Sequence, residues 1–113
     1  MARRDAHQDD RIDVQVTFGN EQLRKKFKHA PAFGVDIGPS PEGLRAFEAA
    51  MRLHLSSSDA VVRRGTFRGM RRVVLFVGQT SGRLVMTSET GEFISAWQLG
   101  NAQLHNVLAR SSL

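Results

Sequence analysis

Residues 61–99, VVRRGTFRGMRRVVLFVGQTSGRLVMTSETGEFISAWQL, decide the fold. Branched and aromatic residues come in short runs, and turn residues separate the runs. Val61-Val62 followed by Gly65-Thr66-Phe67-Arg68 reads as one strand, and Gly69-Met70-Arg71 as a turn. Arg72 to Val77 is the strongest run. Gly78-Gln79-Thr80-Ser81-Gly82 turns, Arg83 to Thr87 is a strand, Ser88 to Gly91 turns, and Glu92 to Leu99 is the last strand. Strands this closely spaced have no room for a helical crossover, so they pair antiparallel. The expectation is a meander of about four strands.

Outside this block the period becomes helical. Asn20 can cap a helix running through about Ala30, with Glu21 at its positive end and Pro31 as its stop. Gly34 to Pro41 holds two glycines and two prolines and reads as a loop. Pro41 to Leu55 is the clearest helix: Ser40 caps it, Pro41 suits its first turn, and Leu44, Phe47, Ala50, Met51 and His54 or Leu55 form one stripe. Asn101 to Arg110 reads as a short closing helix. Ile12, Val14 and Val16 alternate with polar residues, as a short strand or extended lead-in would. Residues 1–11 are polar and expected to be mobile. The fold class is therefore α+β. N-terminal helices pack on an antiparallel meander, a short C-terminal helix closes it, and residues 12–113 form a single domain.

The chain carries 16 Lys+Arg against 11 Asp+Glu, a formal net charge of +5 and a pI near 11.0. That balance favours a polyanionic partner. Cysteine is absent, which excludes disulfides, a thiolate nucleophile and a cysteine-based zinc site. No apolar run approaches the ~20 residues that span a bilayer, and no apolar h-region follows Met1-Ala2-Arg3-Arg4-Asp5. His7 with Asp9 and Asp10 makes a poor metal site, and no paired Asp/Glu motif suggests a two-metal nuclease. The expectation is no cofactor, no metal and no membrane partner.

Chemistry concentrates in Lys25-Lys26-Phe27-Lys28-His29. On a helical wheel Leu23, Phe27 and Ala30 share the packing face. Lys25, Lys28 and His29 lie opposite, and Lys26 sits at the border beside His29. Neighbouring lysines depress an imidazolium pKa, which leaves the ring free to accept a proton near neutral pH. In the last strand Phe93, Ser95 and Trp97 should share one face, with Ile94 and Ala96 on the other. A hydroxyl there can serve a phosphate oxygen, and a ring can stack on an unpaired base. Core packing is the plain alternative for Trp97, a solvated face for the lysines, and helix packing for His54. A non-catalytic basic module that binds RNA or an acidic protein stays open on these residues alone.

LRKKFKHAPAFGV, residues 23–35, resembles the signature of the colicin D catalytic domain family, the tRNA-cleaving domains of bacteriocins and contact-dependent toxins. FISAW, residues 93–97, is similar to that family's Ser-x-Trp segment, and Gly65-Thr66-Phe67-Arg68-Gly69 falls in the matching order. The resemblance spans about residues 18–110. It implies a metal-independent endoribonuclease acting on the anticodon loop of arginine tRNAs and leaving a 2′,3′-cyclic phosphate. It implies His29, Lys26, Lys28, Ser95 and Trp97 as the catalytic set, with Lys26 chosen where the wheel chooses Lys25. Arg24, Lys25 and Arg68 are the expected further RNA contacts. An acidic immunity protein is the expected partner, and a monomer acting in the cytoplasm of a target bacterium, delivered by a larger toxin, the expected setting.

Overall fold

The structure, a computed structural model, describes residues 15–69, 71–111 and 113. Residues 1–14 lie outside them, and with them the expected mobile start and most of the expected lead-in strand. Within reach of that strand, Thr17 forms an isolated parallel bridge to Glu92. The elements run α1 (Asn20–Lys25), a 3-10 helix (Phe27–Phe33), α2 (Pro41–Leu55), β1 (Ala60–Phe67), β2 (Arg71–Gly78), β3 (Arg83–Ser88), β4 (Phe93–Gln98) and α3 (Asn101–Arg110). The four strands form one antiparallel sheet in the order β1-β2-β3-β4.

Strand alternation divides the interior into two layers. Val74, Phe76, Val85, Phe93 and Ala96 meet Leu23, Ala30, Phe33, Leu44, Phe47 and Met51 on the face covered by α1, the 3-10 helix and α2. Val73, Leu75, Val77, Leu84 and Met86 pack on the opposite face with Val107 of α3 and Leu99. The central strands β2 and β3 are apolar on both faces because both are covered. The α2 helix begins as expected: Pro41 occupies the first turn and the Ser40 hydroxyl accepts from the Gly43 N–H at 3.1 Å. Phe47, fully buried, meets Phe27, Phe33 and Phe93 edge to face at 5.7–6.3 Å between ring centres.

Both sheet edges are occupied, which blunts their capacity to recruit other strands. Along β1, Thr66 donates to the Ser111 carbonyl and Leu113 donates back to Thr66, each at 3.2 Å. A methyl at Gly65 would collide with that Ser111 carbonyl, so the close approach requires glycine. Along β4, the Gln22 amide donates to the Ile94 carbonyl at 2.6 Å.

His54 is buried, as its place on the α2 stripe suggests. Its Nε2 lies 3.0 Å from the Phe76 carbonyl, and its ring meets Phe33 edge to face at 5.9 Å. Burial is the main reason its pKa is lowered. It packs in the helix–sheet layer as a satisfied core histidine.

Candidate active site

The expected single helix to Ala30 does not form. The α-helix ends at Lys25, Lys26 turns at φ −104°, ψ 8°, and the chain winds on as 3-10 from Phe27 to Phe33. Continued α-winding would drive the Pro31 ring into the Phe27 carbonyl. The tighter winding carries Pro31 inside the segment, and Gly34, at φ 84°, ends it.

This winding arranges the basic cluster. In a 3-10 helix residues i and i+3 eclipse, so the segment presents three rows. Phe27, Ala30 and Phe33 form the row that packs into the core. Lys28, Pro31 and Gly34 form the exposed row. Lys26, His29 and Ala32 lie between them, half-buried, with the His29 N–H donating to the Lys26 carbonyl at 3.0 Å. Lys26, rather than Lys25, therefore lies on the His29 side, and its charge, like that of Lys28, acts on the imidazole. A wheel drawn at the α-helical period chose Lys25 because it used 100° per residue where the chain uses about 120°.

The His29 pKa is lowered, first by partial burial and then by the charges of Lys28 and Lys26. Among the described residues the ion pairs within 4 Å are Arg52–Glu48 and Arg72–Glu89, so no carboxylate offsets those lysines. The imidazole is neutral at neutral pH and makes no ring hydrogen bond within the described residues.

β4 brings the remaining groups. Met86 pairs with Ser95 and Thr87 with Phe93, so Ile94 is an extra residue, a β-bulge. The bulge corrects one expectation: Phe93 does not share a face with Ser95 and Trp97. It turns into the helix-side layer, while Ser95 and Trp97 face the α3 side with Met86 and Leu84. Gln22 satisfies the bulge carbonyl. Ser95 is largely buried, but its hydroxyl keeps contact with solvent and has no hydrogen-bond partner among the described residues. Trp97 is half-buried, and its ring centre lies 6.4 Å from that of His29. The site thus straddles β4, with His29 reaching it from the helical layer and Trp97 from the opposite face.

Sequence reasoning missed Phe67. Its ring lies 6.3 Å from that of Trp97. β1 and β4 are separated by two strands, so this contact requires a strongly curled sheet. Its signal was the odd-numbered alternation of β1, which places Phe67 on the Trp97 face. The Arg68 guanidinium lies over the Phe67 ring, 4.9 Å from its centre. Arg24 and Lys25 are exposed on α1. Arg24 and Arg45 line a cleft of about 240 Å³ between α1 and α2. Among the described residues no group of three or more His, Asp or Glu is gathered to hold a metal ion.

The colicin D family pattern matches residues 22–107. Colicin-D of Escherichia coli is 35% identical over 83 residues, which cover 73% of this chain and 12% of the colicin. The chain therefore spans only a small part of that relative. A solved structure described as a ribonuclease from Escherichia coli complexed with its inhibitor protein superposes with a TM-score of 0.71 at 32% identity. The match covers 81% of this chain and 100% of that one.

Proposed function

The chain belongs to the colicin D family, and from that premise we propose that it is an endoribonuclease toxin domain that cuts tRNA in the anticodon loop, arginine tRNAs foremost, without a metal ion. The observation that carries this reading is the neutral His29 flanked by Lys26 and Lys28 and set against Trp97.

His29 takes the proton of the ribose 2′-hydroxyl, whose oxygen then attacks the adjacent phosphorus. The P–O5′ bond breaks, giving a 2′,3′-cyclic phosphate and, once the leaving oxygen gains a proton, a 5′-hydroxyl. The imidazolium formed in the first step, or a neighbouring lysine, supplies that proton. Lys26 and Lys28 stabilise the developing negative charge, an effect often worth several kcal/mol. The Ser95 hydroxyl donates to a phosphate oxygen, Trp97 stacks on an unpaired base, and Arg24 and Lys25 hold flanking backbone.

An acidic inhibitor would neutralise the same cations in the cell that makes the toxin. The inhibitor in the related complex supports that partner. Action as a monomer in the cytoplasm of a target bacterium, after delivery by a larger toxin, is part of the same proposal; the similarity to Colicin-D supports its toxin character. Incubating total tRNA with wild-type and His29→Ala protein, and mapping the fragment ends, tests the activity. Loop cleavage by the first and none by the second is expected. Indiscriminate degradation, or equal cleavage by both, contradicts it.

A further inference from the structure

We infer that the tip of the β1–β2 hairpin is a second arm of the RNA site: Phe67 backs the Trp97 stacking platform, and Arg68 holds the phosphate of a nucleotide flanking the cut. This rests on the ribonuclease reading, adds Phe67 to it, and gives Arg68, already expected to touch RNA, a specific place and role. Three observations carry it.

The first is the group of rings. The Trp97 ring contacts His29 at 6.4 Å and Phe67 at 6.3 Å, and the Arg68 guanidinium lies over the Phe67 ring, 4.9 Å from its centre. Cations therefore adjoin this aromatic group from two elements, Lys26 and Lys28 beside His29 and Arg68 over Phe67. A base stacked on the group would have backbone phosphates to either side, with cations from both elements to meet them.

The second is the charge on Arg68. It is exposed, and its guanidinium makes no ion pair within 4 Å among the described residues; the Leu113 main-chain oxygen accepts only from its backbone N–H, at 3.3 Å. Its neighbour Arg72 meets Glu89 only loosely, at 3.8 Å. The hairpin end keeps its cations available.

The third is backbone conformation. Arg68 has φ 58° and Gly69 φ 78°. Left-handed backbone favours Gly, with Asn and Asp next, and a long side chain such as that of Arg68 is strained there. An arginine kept at a position that suits glycine points to a use for its side chain.

The test is tRNA binding in the His29→Ala background, with Arg68→Gly added. Glycine takes φ 58° without strain, so the hairpin and Tm should hold. Arg68→Asn, which also tolerates this conformation, is the second variant. Binding at low salt should weaken about tenfold, and the salt slope should fall by about one. A change under threefold in both variants overturns the inference. Wild-type cleavage of the same tRNA, measured in parallel, separates the two readings. Cleavage with unchanged binding in the variants removes the second arm and leaves the enzyme. Weakened binding without wild-type cleavage removes the enzyme and supports the arm.

Discussion

The imidazole of His29 and the indole of Trp97 lie 6.4 Å apart at 46°, although they come from opposite sides of the sheet. The 3-10 helix brings one ring over the edge strand, and the register after the bulge at Ile94 brings the other to meet it. Trp97→Leu keeps apolar bulk but removes the flat face. We expect kcat/KM on tRNA to fall about 10- to 100-fold, matching a stacking contact of ~1–3 kcal/mol. A leucine variant that is folded and as active as wild type would remove Trp97 from substrate binding.

Partial burial, Lys28 and Lys26 hold the His29 pKa below the ordinary imidazole value of 6.5. The general base should therefore remain deprotonated somewhat below pH 6.5, with the acid limb of kcat/KM lying there. Lys28→Met should move that limb upward toward 6.5 while lowering the plateau, because it removes one of the charges that depress the pKa. A limb that stays put or moves down in Lys28→Met would contradict this electrostatic account.

His54 also has a lowered pKa, caused first by burial. As pH falls, the unfolded chain takes up this proton before the folded one does. The stability linked to neutral His54 is thus present above 6.5 and is lost as pH falls through the lower folded value. Asp59, also lowered, loses its contribution only in the more acidic range below its ordinary 3.8. His54→Gln can still donate to the Phe76 carbonyl but cannot titrate. Its Tm should vary less between pH 7 and 5 than that of wild type, and an equal dependence would assign the effect to other groups.

Phe47 is fully buried at the centre of the helix-side layer. Phe47→Ala should cost about 3–5 kcal/mol, measured by denaturant unfolding. That is a large share of the ~5–15 kcal/mol available to a domain. A loss under about 1 kcal/mol would mean that this layer is not the core.

The elements set by local pattern were legible in the sequence. Pro41–Leu55 carries its cap and its stripe openly, Asn101–Arg110 shows its apolar positions, and the strands fall between visible turns. The winding of residues 26–33 was not legible, because a run that suits an α-helix up to Pro31 also suits a 3-10 helix that includes it. That one ambiguity exchanged Lys25 for Lys26 beside His29. The bulge at Ile94 was hidden for a different reason. Nothing in FISAW marks an extra residue, and its register depends on Gln22 and β3, far away in sequence. Phe67 was missed because its approach to Trp97 depends on the curl of the whole sheet.

The central claim is that His29, with Lys26 and Lys28 beside it, cuts RNA without a metal ion. The most direct measurement is cleavage of purified tRNA by wild-type protein in excess EDTA, with the termini of the fragments determined chemically. The account predicts a discrete cut in the anticodon loop, a 2′,3′-cyclic phosphate on one fragment and a 5′-hydroxyl on the other, and no cut by His29→Ala. Loss of cleavage in EDTA with recovery on adding Mg²⁺ or Zn²⁺, or a 5′-phosphate at the cut, would contradict it.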